Sequence, residues 1–244
     1  MEYVSLWPIL LLALIHFFGN RLTFLSAMPR SVWLSGAGGV SVAYVFLHLF
    51  PELDEGQEHV ETLAWAEGFL RHHVYLVALT GLAVFYGLER LVISSKNEAI
   101  ADEEDDGEKP SFGAFLVHIG SFAFYNALIG YLLFQREEGP VEEMALFSIA
   151  MALHFIVNDV GLLTYHKDNY ERFGRWVLVV ALVLGWGVGY VLEVSETIVV
   201  LVMAFIGGGV ILNIMKEELP EERKSRFWAF GLGVAAYSVL LLSI

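Results

Sequence analysis

Eight long apolar runs, broken only by short charged patches, constrain this chain more than any other feature of its sequence. A membrane helix needs roughly 20 mostly apolar residues, at about 1.5 Å each, to cross about 30 Å of hydrocarbon. The runs lie at about 4–25, 31–50, 73–95, 111–134, 143–165, 174–193, 196–215 and 226–244. Their connections are short, so residues 1–244 read as a single polytopic membrane domain with no soluble domain attached. Of the 244 residues, 57% are hydrophobic and 17% charged; ordinary soluble domains have about 45–50% and about 25%. The expected class is therefore an all-α integral membrane protein. The first run lacks a charged leader and no small-residue cleavage site follows it, so it is expected to remain as a helix.

Two absences narrow the chemistry. Without cysteine there is no disulfide, no thiolate zinc site and no cysteine nucleophile. A formal charge of −14 argues against a nucleic-acid partner, because phosphate binding calls for clustered Lys and Arg. The basic residues that are present set the orientation. Alternate connections hold Arg21 and Arg30, then Arg90, Lys96 and Lys109, then Lys167, Arg172 and Arg175, then Lys216, Arg223, Lys224 and Arg226. The other connections hold only Arg71 and Arg136 of the 14. By the positive-inside rule both termini face outside. The acidic outer segment 52–72 carries a short interfacial helix expected around Thr62–Leu70, and 96–110 reads as an acidic, disordered inner loop.

The sequence also repeats weakly. At an offset of 169, Pro51 falls on Pro220, Gly38 and Gly39 on Gly207 and Gly208, Val42 on Ile211, and Glu52 on Glu221. One segment is the second run and the other the seventh, which cross in opposite directions. Inverted-topology repeats of this kind place a pathway near their interface, and the layout becomes three helices, two, and three.

Ionisable and amide groups at membrane depth are expensive and usually functional. The fifth run holds His154, Asn158 and Asp159. His154 and Asn158 are one helical turn apart on one face, with Asp159 beside it. An imidazole, an amide oxygen and a carboxylate together suit a borderline divalent cation. The fourth run places His118, Phe122 and Asn126 at successive four-residue steps. If these two helices pack together, the polar groups can share a site. The plainer roles are interhelical hydrogen bonding for Asn126 and packing for His118. His16, His48 and Glu89 lie nearer span ends, where snorkelling or capping accounts for them; His166 lies just past an end, where solvent suffices.

These residues, in this setting, resemble the ZIP family of divalent-metal transporters. His48-Leu-Phe-Pro51-Glu52 is similar to the family's H-x-x-P-[DE] ending of the second helix. Phe85-Tyr-Gly-Leu-Glu89-Arg90 resembles its aromatic run ending in Glu-Lys, and Gly208-Gly209 leading to Glu218-Leu-Pro220-Glu221 resembles its seventh helix. The metal helix departs from the family's H-E-x-P-H-E-x-G-D: Phe155 replaces the first Glu, Val157 the Pro and Asn158 the second His. In the fourth helix, Phe122 and Asn126 replace the family's His and acid. The resemblance implies eight transmembrane helices in a 3+2+3 arrangement with inverted repeats, both termini outside. Helices 1–3 occupy about 4–95, helices 4–5 about 111–165 and helices 6–8 about 174–244. It also implies at most one metal site, built from Asn126, His154, Asn158 and Asp159, with His118 as a substitute ligand.

The expected function is a carrier that brings zinc, iron or manganese into the cytoplasm across a cell membrane, with the metal as substrate and no tightly bound cofactor. The alternative is a transport-inactive ZIP-like scaffold or regulatory protein. Enzyme function is not expected: there is no phosphate-binding Gly-Lys motif, and Phe155 stands where an intramembrane metalloenzyme would carry its Glu. The expected partners are the bilayer and the metal ion, with a homodimer left open.

Overall fold

The computed structural model describes residues 4–21, 31–61, 73–101, 112–136, 139–192, 194–218 and 226–243. Among them the regular elements are helical: α1 Leu6–Phe17, α2 Val32–Tyr44, α3 Phe50–Glu61, α4 His73–Ala101, α5 Phe112–Gln135, α6 Val141–Asn169, α7 Arg175–Val191, α8 Glu196–Glu218 and α9 Phe227–Leu242. Each apolar run of the sequence overlaps one of these helices over most of its length. Five stretches are long and apolar enough to cross a membrane: Val32–Glu58, Val74–Leu91, Phe112–Gln135, Val141–Val191 and Glu196–Lys216. Leu6–Phe17 and Phe227–Leu242 are apolar but shorter.

Local chemistry explains several boundaries. Ser31 caps α2, its hydroxyl accepting from the Leu34 amide at 3.2 Å. Pro140 precedes α6, and Glu142 and Glu143 occupy the first turn, where the helix dipole favours negative charge. Gln57 accepts from the Val74 amide at 3.0 Å and so ties α3 to the start of α4. Phe17 ends α1 with its carbonyl accepting from Arg175 at 3.0 Å. Helix α4 runs on to Ala101, into the segment expected as an inner loop, and α3 makes the first part of the acidic outer segment helical. Residues 102–111, the expected interfacial helix at Thr62–Leu70 and the ending at Leu219, Pro220 and Glu221 lie outside the described residues.

The connection expected between the fifth and sixth runs is instead continuous helix with a break. His166 departs from helical geometry (φ −135°, ψ 37°), and a π-helical turn, Tyr170–Gly174, follows before α7. Contacts show that the chain reverses there. Tyr125 packs on His154 and His118 on His166, so α5 and α6 are antiparallel. Gly174 faces Phe115 while Gly189 faces Phe134, so α5 and α7 are parallel. A second π-helical turn, Val45–Leu49, joins α2 to α3. The two segments of the weak repeat pass each other antiparallel, with Gly207 against Leu49 and Gly56 against Val200.

Three parallel helix pairs form the frame, and each is closed by glycines from both sides. A Cβ at Gly39 would fall on the Phe230 carbonyl of α9, and one at Gly233 on the Gly36 carbonyl of α2. Gly81 and Gly208 make the same reciprocal approach between α4 and α8, as do Gly130 and Gly185 between α5 and α7. Lipid-embedded helices gain little from hydrophobic exclusion, so close backbone packing over small residues is what holds such pairs together. Large apolar side chains instead face outward, among them Leu79, Leu184 and Leu232, at 60–62% exposure. A surface of that kind is costly in water and natural in hydrocarbon.

Candidate functional site

The buried polar groups gather around α5, in three places along its length. At its middle, Asp159 of α6 is wholly buried and faces His16 of α1. His16 Nδ1 lies 2.9 Å from both carboxylate oxygens, and its Nε2 lies 2.7 Å from Asn126 Oδ1. The Asn126 amide donates to the Phe122 carbonyl at 2.8 Å, which turns its oxygen toward the imidazole. His16 Nε2 must then carry a hydrogen. One further proton lies between Nδ1 and the carboxylate, because two acceptors would otherwise face each other. The pair is neutral overall whichever atom holds that proton.

Three further groups shape this centre. Phe155 packs against the His16 ring, tilted, at 4.5 Å between centroids. Gly19 leaves room for it: a Cβ there would collide with the Tyr170 hydroxyl and come within 2.9 Å of Asp159 Oδ2. The third is Tyr170, held in the π-helical turn Tyr170–Gly174, whose hydroxyl stands beside the same Gly19.

Toward the start of α5, His118 Nδ1 lies 3.1 Å from His166 Nε2, and its Nε2 lies 3.5 Å from Glu89 Oε2. Lys216 of α8 binds the same Glu89 oxygen at 3.0 Å. Two adjoining pockets open here. One is lined by residues that include Phe85, Glu89, His118 and Ser121, the other by His118, Phe122, Asn158 and Lys216.

At the far end of α5, Arg136 Nη2 takes both oxygens of Glu52, at 2.7 and 2.8 Å. Its guanidinium also sits 4.8 Å from the centre of the Phe147 ring. We expect Arg136→Met to lower stability by about 2 kcal/mol, the scale of a charged hydrogen bond lost where water is scarce. Arg136→Lys should lose less, since its ammonium keeps a positive charge beside Glu52. Thermal unfolding of the purified protein in detergent, followed by tryptophan fluorescence, measures both; equal losses would contradict a stabilising ion pair with Glu52.

Of the five residues expected to hold a metal, the structure therefore brings Asn126 and Asp159 together, but through His16. It places His118 and Asn158 on one pocket wall. His154 joins neither group: its ring lies 5.6 Å from that of Tyr125, and its Nε2 has no hydrogen-bond partner among the described residues. Three residues read as incidental in sequence turn out to be central. His16 is 1% exposed although it lies in the last turn of α1, and His166 is 4% exposed rather than solvated. Glu89 is an interhelical anchor rather than a snorkelling end group. The signal for His16 was faint: Pro8, Leu12 and His16 share one face of α1, but the helix is apolar all round and no stripe marks that face. Among the described residues, no group of three His, Asp or Glu side chains has metal-holding geometry in this arrangement. No family model matches the chain, and no curated protein matches it either.

Proposed function

We propose that this chain is a ZIP-like membrane carrier that moves a divalent metal cation toward the cytoplasm. The observation that carries the reading is the polar interior along α5, where imidazole, carboxylate, amide and ammonium groups from α1, α4, α5, α6 and α8 meet inside an otherwise apolar bundle. Such groups at membrane depth mark ion pathways by default. Alternation of helix direction supports eight crossings in a 3+2+3 order, with both termini on one side. In this reading α6 and α7 cross separately, and α1 and α9 complete the set. The antiparallel passage of the repeat segments supports rocking of two related halves about the site. The strong Lys and Arg asymmetry puts the termini outside, and the plasma membrane is the natural location for an inward carrier.

In this reading the cation enters past the Glu52 end and reaches the α5–α6 interior. Binding at Asp159 releases the proton shared with His16, since a metal ligand must be deprotonated. A specific observation favours the second reading, an inactive scaffold: Asp159 and Glu89 each already face a basic group of the chain. Influx of Zn²⁺, Fe²⁺ and Mn²⁺ into proteoliposomes decides between them. A carrier takes up at least one of these metals, and Asp159→Asn abolishes the uptake. Folded native protein that moves none of the three is a scaffold.

A further inference from the structure

Three arginines meet exposed aromatic rings where the end of α1 comes against the start of α7. Arg21 lies over Phe18 at 5.0 Å, Arg172 over Phe173 at 4.9 Å, and Arg175 over Phe17 and Trp176 at 5.8 and 5.4 Å. Phe17 packs edge-on against both Phe18 and Trp176, at 4.9 and 5.3 Å, so Arg21 and Arg175 bracket one aromatic row. Arg175 Nη1 donates to the Phe17 carbonyl, which fixes its guanidinium across the gap between the two helices. Arg136 and Lys216 each hold a carboxylate, but among the described residues none of these three arginines does. Asp168 and Glu171 are near in sequence, yet Lys167 and the three arginines outnumber them.

We propose that this cluster binds the phosphate of an anionic phospholipid, whose acyl chains lie along α1 and α7. Three observations carry the assignment. The first is charge: guanidinium groups are weakly hydrated and present forked donors that match phosphate oxygens. The second is the rings themselves, which stand 37–48% exposed beside those charges, as aromatic side chains do at the headgroup level of a bilayer. The third separates a lipid from a soluble anion. Leu10 and Leu14 continue the exposed face of α1 from Phe17, and Val180 and Leu184 continue that of α7 from Trp176. The two helices are antiparallel neighbours, because Trp186 near the far end of α7 donates to Ser5 at the start of α1 at 2.7 Å. Both apolar faces therefore run away from the cluster in the same direction, as acyl chains anchored there would. Arg21, Arg172 and Arg175 belong to connections that the positive-inside rule puts in the cytoplasm, so the lipid is one of the inner leaflet. The leaflet rests on the orientation proposed above; the site does not.

Native mass spectrometry of the purified chain in detergent, titrated with phosphatidylglycerol, phosphatidylcholine or inorganic phosphate, counts what stays bound. One phosphatidylglycerol should bind at least about tenfold more tightly than phosphatidylcholine, whose headgroup carries no net charge. Arg21→Gln combined with Arg172→Gln, both at exposed side chains, should weaken phosphatidylglycerol binding at least about tenfold. Arg223→Gln combined with Lys224→Gln removes the same charge from another connection of the same expected side and should leave binding unchanged. Should the first pair not fold, Arg172→Gln alone makes the comparison, with a loss of about fivefold. Equal affinity for the two lipids overturns the proposal. So do equal losses in the two variant pairs, since net charge and not this cluster would then hold the lipid. Inorganic phosphate bound as tightly as phosphatidylglycerol overturns it as well, because the acyl chains would contribute nothing. Metal uptake is a separate measurement, so the carrier reading and this site can fail independently.

Discussion

Asp159→Ala should cost about 3 kcal/mol of stability, His16→Ala about as much, and the two together little more than either alone. The reason is the closed geometry of the pair. Asp159 and His16 are 0% and 1% exposed, and they share contacts of 2.9 Å that no water can replace. Removing one partner leaves the other buried with its polar atoms unmet, which costs about 1–3 kcal/mol. The cavity left behind adds to that. Once one is gone the contact between them cannot be lost twice, although His16 still holds Asn126, so the double variant should show a coupling energy of about 2 kcal/mol. Asp159→Asn offers an amide N–H that can donate to Nδ1 of a neutral His16 and should lose only about 1 kcal/mol. Chemical or thermal unfolding of the four proteins in one detergent gives the cycle. Strictly additive losses would mean that the pair is not coupled.

Gly130→Ala should be among the most disruptive small substitutions in the chain, costing about 3 kcal/mol, while Gly120→Ala in the same helix should be neutral or stabilising. A methyl at Gly130 would be driven onto the Leu182 carbonyl of α7, and backbone, unlike the tip of a side chain, cannot turn aside. Overpacking of a tight contact typically costs about 1–3 kcal/mol. Among the described residues, nothing lies within 4 Å of where a Cβ at Gly120 would stand. There only the helix preference for alanine acts, worth roughly 0.5–1 kcal/mol. One substitution therefore changes sign within a single helix. Gly208→Ala against Gly87→Ala repeats the contrast in the α4–α8 pair, where Gly87 is equally open. Similar unfolding midpoints for Gly130→Ala and Gly120→Ala would show that α5 and α7 are not packed backbone to backbone.

The helices were legible because each apolar run is long and uninterrupted, and because membrane depth sets a length that any sequence must meet. Their ends were less so. Helix α4 continues past the apolar run through Lys96, Glu98 and Ala99, since residues with good helix propensity do not stop a helix. The break at His166 had no proline or glycine to announce it. It forms where α6 must turn back, and His166 stays buried there against His118.

The candidate site divided along the same line. Which polar groups are buried within the bundle was readable for Asn126, His154, Asn158 and Asp159, because an apolar run surrounds each of them. What they touch was not. His16 meets Asp159 across 143 positions of sequence, and Lys216 meets Glu89 across 127. Local periodicity carries no information at that separation. By itself the sequence determined an all-helical chain with its polar groups inside apolar runs, since hydrophobicity and helix length are local properties. Which carboxylate meets which cation was decided only by the tertiary structure, because helices that are apolar all round have no face that names their neighbour, and glycine-to-backbone contacts choose it instead.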